Sequence, residues 1–200
     1  IILMRSTDIR RPFFLLQLIF CSRGNDAVVI TSLMRQTIVT LDLEGVLVPE
    51  IWIAVAEKTG IEALRRTTRD EPDYDILMKS RLEIMRQNDL KLFDIQDVIS
   101  SLSPLDGAID FLDELRAETQ VIILSDTFVQ FARPLMKQLA WPTIFCNHLE
   151  VMDDVVENYH LRQPDQKRQS VLAFRSLNYR VIAAGDSYND TNMLAEADQG

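Results

Sequence analysis

The sequence predicts an α/β protein whose doubly wound parallel sheet carries an inserted helical cap. Three observations lead to this prediction: short apolar runs rich in β-branched residues, helical patterns between them, and one interval that is helical throughout. Continuous apolar runs are typical of strands buried on both faces of a sheet, and alternation of strand and helix is typical of parallel sheets. The predicted strands are Thr37–Leu41, Val121–Leu124, Thr143–Cys146 and Arg180–Ala184.

The helices between these strands are predicted from apolar residues three and four positions apart. In Gly107–Thr119 this spacing places Phe111 on the face of the helix that carries Leu115. The same pattern recurs in Phe128–Leu139 and Gln169–Leu177.

An interval of helices follows the first strand, from residue 50 to residue 103. Its predicted helices are Ile51–Thr59, Ile61–Thr67, Tyr74–Gln87 and Ile95–Leu102. We interpret residues 50–103 as a cap over the strand ends, so that residues 34–49 and 104–200 form the sheet domain. After Asn147, the runs Leu149–Met152 and Val155–Leu161 predict a β-hairpin.

Composition excludes some classes of protein. A net charge of −9 argues against a nucleic-acid or anionic-membrane partner, because either requires a basic surface. Cys21 and Cys146 give no disulfide framework, so we expect a reducing compartment, the cytoplasm. Trp52 and Trp141 are expected to be packing residues.

Two carboxylates follow the first predicted strand, in Asp42-Leu43-Glu44-Gly45. In extended backbone a spacing of two points Asp42 and Glu44 the same way, at the strand end where open α/β sheets bind ligands. An ionised carboxylate there can attack phosphorus while a protonated one gives a proton to the leaving oxygen. The alternative is an ordinary acid pair on a turn.

A second acidic cluster follows the last predicted strand, in Gly185-Asp186-Ser187-Tyr188-Asn189-Asp190. Mg²⁺ prefers oxygen ligands and commonly takes one or two carboxylates. Asp186 suits a metal ligand, and Asp190 suits either a ligand through water or an acid that holds Asn189 and the loop. A helix N-cap explains Asp186 or Ser187 without a metal but does not account for Asp190.

Two further polar residues are candidates for contact with a phosphate. Ser125 ends a predicted strand, and Lys167 begins a helical pattern. A hydroxyl donates to phosphate oxygens, and an ammonium neutralises phosphate and nearby carboxylates. The alternatives are a turn serine and a solvated lysine.

In this order the four segments resemble the haloacid dehalogenase superfamily of phosphohydrolases, over residues 35–200. The resemblance implies a Rossmann-like core with Asp42 as nucleophile and Glu44 as general acid and base, whereas the family's usual second acid is Asp. It implies that Ser125 and Lys167 hold the phosphoryl group. It also implies that Asp42, the backbone carbonyl of Glu44 and Asp186 bind Mg²⁺.

Within the superfamily, the inserted helices resemble the phosphoserine phosphatase branch. The resemblance implies that Glu50 binds the substrate ammonium and Arg81 its carboxylate, with Tyr74 as the accompanying aromatic. The alternative without substrate binding places Glu50 in solvent and Arg81 on the charged outer face of its helix.

The stretch around Val48-Pro49-Glu50-Ile51-Trp52 is similar to the bifunctional members of this branch, which also pass phosphate to homoserine. Asp126, directly after Ser125, supports that subgroup, and we expect Asp126 and Asn189 to contact the substrate. The expected function is therefore a magnesium-dependent phosphoserine phosphatase or phosphotransferase that works on small molecules.

Other interpretations stay open. One is a phosphatase of the same superfamily for another small phosphate ester. Another is a phosphate-binding module without turnover, because the chain stops soon after Asp190, at Gly200, and we expect a truncated C-terminus. We also expect residues 1–33 to be an extension outside the catalytic fold.

Overall fold

The structure, a computed structural model, describes residues 35–200. Its sheet has five strands: β1 (Thr37–Leu41), β2 (Gln120–Phe128), β3 (Thr143–Met152), β4 (Val155–His160) and β5 (Arg180–Ala184). The order across the sheet is β4-β3-β2-β1-β5, with β1, β2, β3 and β5 parallel and β4 antiparallel to β3. The predicted extension, residues 1–33, and Cys21 lie outside the described residues.

The helices cover both faces of this sheet. They are α1 (Ile51–Thr59), α2 (Tyr74–Gln87), α3 (Leu92–Ser100), α4 (Ala108–Glu118), α5 (Val129–Gln138), α6 (Gln166–Ser176) and α7 (Thr191–Glu196). Side chains of α1 to α5 join one hydrophobic core, and those of α6 and α7 join a second. This arrangement confirms the predicted fold class.

Side-chain alternation along the strands explains the two cores. Val39 and Leu41 of β1 point into the first core, and Ile38 points into the second. Ile123 and Leu124 of β2 divide in the same way. Because successive residues of a strand face opposite sides, an uninterrupted apolar run fills both cores.

Several predicted elements differ in extent or type from those observed. The segment Ile61–Thr67 forms only a short 3₁₀-helix, Glu62–Arg65, which buries Leu64 alone. The helix predicted at Ile95–Leu102 begins earlier, at Leu92, where the Asp94 side chain accepts a hydrogen bond from the backbone N–H of Lys91. The strands predicted on either side of Asn147 are one continuous strand, β3.

Two predictions about packing are wrong. Phe111 is exposed because the buried stripe of α4 is narrow and consists of Ala108, Leu112 and Leu115. Trp141 is 61% exposed. It lies in the turn after α5 with a φ of 56°, and its ring faces outward. Trp52 is buried, as expected.

The register of the central strands brings three strand ends together. Leu41 of β1 pairs with Ile123 of β2 on one side and with Ala184 of β5 on the other. The carboxyl ends of β1, β2 and β5 therefore lie side by side. Within residues 35–200, no helix combines the length and the hydropathy needed to cross a membrane.

Candidate active site

The acidic groups predicted after β1 and β5 meet at this edge of the sheet. The backbone N–H of Asp42 donates to the carbonyl of Ala184 at 2.9 Å, which fixes the start of one loop against the end of the other strand. Carboxylate oxygens of Asp42, Asp186 and Asp190 all lie within 4.8 Å of one another. The arrangement places three acids where one divalent cation could bind them.

Gly45 allows the two loops to approach. Its φ of 75° lies in the left-handed region, and a Cβ at this position would collide with the carboxylate of Asp186. A side chain at residue 45 would thus push the two acidic loops apart.

Lys167 lies at the centre of the acidic groups. Its Nζ is 2.9 Å from Asp42 Oδ1, 2.7 Å from Asp190 Oδ1 and 3.5 Å from Asp126 Oδ2. The lysine side chain is 4% exposed, so these charges interact with little screening by water. One buried ammonium therefore serves carboxylates from three separate loops.

Burial and charge shift the pKa values of this group in opposing ways. Burial disfavours the Lys167 ammonium, but Asp42, Asp126 and Asp190 outweigh it and raise the lysine pKa. Burial raises the pKa of Asp42 well above its usual range, against the attraction of Lys167 and with the repulsion of Asp190. Burial and Asp190 also raise the pKa of Asp186. A bound cation would relieve this repulsion.

Asp190 is fully buried, and protein groups bind both of its oxygens. Oδ1 accepts from Lys167, while Oδ2 accepts from the backbone N–H groups of Asp186 and Ser187 at 3.2 and 3.1 Å. Among the predicted site residues, Asp190 lies behind the cavity surface and does not line it. Its contacts hold the loop that carries Asp186.

Glu44 faces the same cavity but has a different environment. Its Oε2 accepts the backbone N–H of Ile51 at 2.8 Å, at the N-terminus of α1. Burial raises the pKa of Glu44 to about 7, in spite of that hydrogen bond. A carboxyl group with such a pKa can both give and take a proton near neutral pH.

Asp126 accepts hydrogen bonds from two amides. Gln166 Nε2 donates to Asp126 Oδ1 at 3.0 Å, and Asn189 Nδ2 donates to Asp126 Oδ2 at 2.8 Å. Gln166 also donates to the carbonyl of Ser125 at 2.7 Å. Ser125 is 1% exposed, and its Oγ accepts the N–H of Thr127, a bond that leaves its own hydrogen to donate.

Sequence reasoning missed Gln166 and Asn147. Asn147 donates to the carbonyl of Asp126 at 3.0 Å and accepts the backbone N–H of Arg162 at 3.0 Å. Both amides tie the end of β2 to the start of α6, where Lys167 lies. Single buried amides follow no motif, so the only available signal was the position of Gln166 next to Lys167.

The other end of the cavity carries Glu50 and Arg81. Arg81 is 6% exposed, so the solvent-facing alternative for it is wrong. Its guanidinium donates to the carbonyl of Arg66 at 2.7 Å, and its Nε has no hydrogen-bond partner in the described part of the chain. Burial lowers the pKa of Arg81 to about 10 and raises that of the half-buried Glu50.

These two ends share one cavity of about 300 Å³. The sequence-predicted residues that line it are Asp42, Glu44, Glu50, Arg81, Ser125, Asp126, Lys167, Asp186 and Asn189. Tyr74 also lines it, and its hydroxyl donates to the carbonyl of Asp126 at 2.9 Å. The volume suits a small molecule, with an acidic and lysine-bearing end and an arginine-bearing end.

Known proteins resemble this chain in sequence and in fold. Phosphoserine phosphatase ThrH of Pseudomonas aeruginosa is 66% identical over 164 residues, which is 82% of this chain and 80% of the relative. A phosphoserine phosphatase of Pseudomonas syringae pv. tomato is also 66% identical, over 82% of this chain and 69% of the relative.

Solved structures agree with the fold at lower identity. A phosphoserine phosphatase in apo form has a TM-score of 0.68 at 18% identity, over 82% of this chain and 84% of that one. A phospho-aspartyl intermediate analogue of phosphoserine phosphatase has a TM-score of 0.69 at 18% identity, with the same coverage.

The family model that describes haloacid dehalogenase-like hydrolases matches residues 36–198, nearly all of the described chain. Together with the 66% identity to curated relatives, this match shows that the chain belongs to the haloacid dehalogenase-like hydrolases.

Proposed function

We propose that the protein is a Mg²⁺-dependent phosphoserine phosphatase that works through an aspartyl-phosphate on Asp42. It releases L-serine and passes the phosphoryl group to water or to homoserine. One observation carries the proposal: a single cavity joins the Asp42 and Lys167 pair to the buried guanidinium of Arg81. The names of the 66%-identical relatives support the choice of substrate.

The acidic cluster fits a magnesium ion. Its carboxylates are hard oxygen donors, which Mg²⁺ prefers, and a small number of them suffices because water and substrate complete the shell. Asp42, Asp186 and the backbone carbonyl of Glu44 would hold the ion. Asp190, with both oxygens bound by protein groups, would hold the loop rather than the metal directly. Bound Mg²⁺ would neutralise charge on the phosphoryl oxygens.

In the first step, a carboxylate oxygen of Asp42 attacks phosphorus as the bond from phosphorus to the serine oxygen breaks. Lys167 and Ser125 bind the phosphoryl oxygens and keep the reacting atoms in line. The protonated Glu44 gives its proton to the departing serine oxygen. The products are the aspartyl-phosphate and neutral hydroxyl of serine.

In the second step, Glu44 takes a proton from water or from the hydroxyl of homoserine. That oxygen then attacks phosphorus, and the bond from phosphorus to Asp42 breaks. The carboxylate of Asp42 is regenerated. One residue thus acts as acid and then as base, which a pKa of about 7 suits.

The opposite end of the cavity would bind the amino-acid part of the substrate. An ammonium group pairs with the carboxylate of Glu50, and a carboxylate pairs with the guanidinium of Arg81. Asp126 and Asn189, which are hydrogen-bonded to each other, would border the phosphate at the Lys167 end of the cavity.

The proposed nucleophile is tested with Asp42→Asn. We expect this variant to lose phosphoenzyme formation and phosphate release from phosphoserine, because an amide is not a nucleophile. Persistent turnover in the variant would reject the assignment. Phosphate release with and without added Mg²⁺ tests the metal.

The acceptor and the substrate class need separate measurements. With homoserine added, ³¹P NMR separates O-phosphohomoserine from inorganic phosphate and gives the partition between the two acceptors. A panel of sugar phosphates and pyridoxal phosphate, each compared with phosphoserine, tests the alternative of another small phosphate ester.

A further inference from the structure

Arg81 is a buried cation that has no counter-ion among the residues that the structure describes. Among residues 35–200 its guanidinium forms no ion pair with a carboxylate, and its polar contacts are the carbonyl of Arg66 and, at 3.6 Å, the sulfur of Met78. Within the same residues its Nε has no hydrogen-bond partner. Because an unpaired buried charge is costly, such a group suits an anionic ligand in the adjoining cavity.

Trp52 covers this guanidinium. The Arg81 Cζ lies 4.6 Å from the centroid of the indole ring. A cation over an aromatic face is attracted by the negative face of the ring. This attraction does not depend on an N–H donor, so the guanidinium can still donate hydrogen bonds to a carboxylate.

The position of the indole is itself fixed. Trp52 lies in the first turn of α1, two residues after Glu50, and is 8% exposed. Its ring meets Phe131 edge-on, with the centroids 5.6 Å apart and the planes at 71°. Trp52 also lines the cavity. A rigid aromatic surface therefore supports Arg81 from the helix that follows the nucleophile loop.

We propose that Trp52 is a specificity-determining residue that holds Arg81 for the carboxylate of the substrate, so that the enzyme prefers phosphate monoesters bearing a carboxylate. This inference rests on the proposed function and deepens it. Trp52 acts through Arg81 and is thus a positioning residue. Without the indole, the guanidinium gains rotational freedom and binds a carboxylate with a larger loss of entropy.

The test compares two substrates that differ by one carboxylate, O-phosphoserine and O-phosphoethanolamine. We expect the wild type to prefer phosphoserine in kcat/KM. In Trp52→Leu this preference should fall about tenfold, a change of about 1.4 kcal/mol, because the guanidinium loses a desolvated cation–π contact. The fall should arise from KM for phosphoserine, with kcat/KM for phosphoethanolamine changed less than about twofold.

Two variants separate selectivity from packing. Trp52→Phe keeps an aromatic face and should keep most of the preference, which also covers the case in which Trp52→Leu fails to fold. Trp141→Leu removes the exposed indole and should leave both substrates unchanged. If Trp52→Leu loses kcat/KM equally for both substrates, the inference is overturned and the proposed function stands. If only Trp52→Phe folds, the same result in that variant has the same meaning. A wild type with no preference for phosphoserine would overturn both.

Discussion

The cavity has a proposed phosphate end, at Asp42 and Lys167, and a proposed amino-acid end, at Glu50 and Arg81. The two ends differ in how their charges are compensated. At the phosphate end, Lys167 contacts three carboxylates, and each oxygen of Asp190 has a protein partner. At the amino-acid end, the Arg81 guanidinium donates to a backbone carbonyl, and its Nε–H has no acceptor within residues 35–200. The phosphate end is therefore held in place by the protein itself, whereas under the proposed function the amino-acid end would be completed by its ligand.

This difference predicts separate consequences for stability and for activity. Removal of a cation that the fold requires should lower the free energy of unfolding. Removal of a cation that only the ligand requires should weaken ligand binding. The fold should then be as stable as before or more stable.

Lys167→Met should have the largest effect. It leaves Asp42 and Asp190 buried without their common cation, so we expect a loss of about 3 kcal/mol in the free energy of unfolding. It also removes a charge from the transferring phosphoryl group, and kcat should fall about 10³-fold. Urea unfolding and phosphate release measure the two effects.

Lys79→Met is the matched control, because Lys79 pairs with Asp75 on the surface, where its side chain is 71% exposed. The stability of this variant should stay close to that of the wild type, because an exposed ion pair contributes little. If both lysine variants unfold at the same urea concentration, the phosphate end is not held by Lys167.

Arg81→Met should show the opposite pattern. The substrate carboxylate loses its partner, so kcat/KM for phosphoserine should fall about 10²-fold, mainly through KM. The free energy of unfolding should stay equal or increase, because an apolar side chain replaces a buried cation without a counter-ion. Thermal melts measured without substrate check this, and a clear loss of stability would contradict the comparison.

Cys146 gives a smaller effect and shows what burial does outside the cavity. Burial raises the pKa of its thiol to about 11. In a Cys21→Ser background, alkylation by iodoacetamide should therefore be slow at pH 8 and accelerate as the pH rises through 9 to 11. The unfolded thiol ionises at lower pH than the folded one, so the stability contributed by this group should fall over the same range. A fast reaction at pH 8 would show a thiol with a normal pKa.

The fold and the phosphate end were predictable because their signals are local. Apolar runs that end in Asp42 or Asp186 show both the strand and the position of its acid. A parallel sheet then brings these ends together without further information. The hairpin after Asn147 was predictable from its turn residues, Asp153 and Asp154. The sequence did not show that β3 runs through Asn147 without a break.

The amino-acid end was harder to predict because its features depend on contacts between distant elements. Helical spacing alone leaves Arg81 on a charged face, whereas in the structure the residue is buried and Trp52 of α1 lies over its guanidinium. The exposure of Trp141 depends on a turn with positive φ at two non-glycine residues. The amide contacts of Gln166 likewise require the three-dimensional approach of α6 to β2.

Strand β1 pairs with β2 on one side and with β5 on the other, although both partners are far from β1 in the sequence. Contacts between such distant segments form slowly, since a long loop must close before they gain any stability. The proposed catalytic turnover requires both strand pairings. The circular dichroism of the helices requires neither of them. In a refolding experiment, circular dichroism at 222 nm should therefore recover first. Enzymatic activity should return later, when β5 pairs with β1.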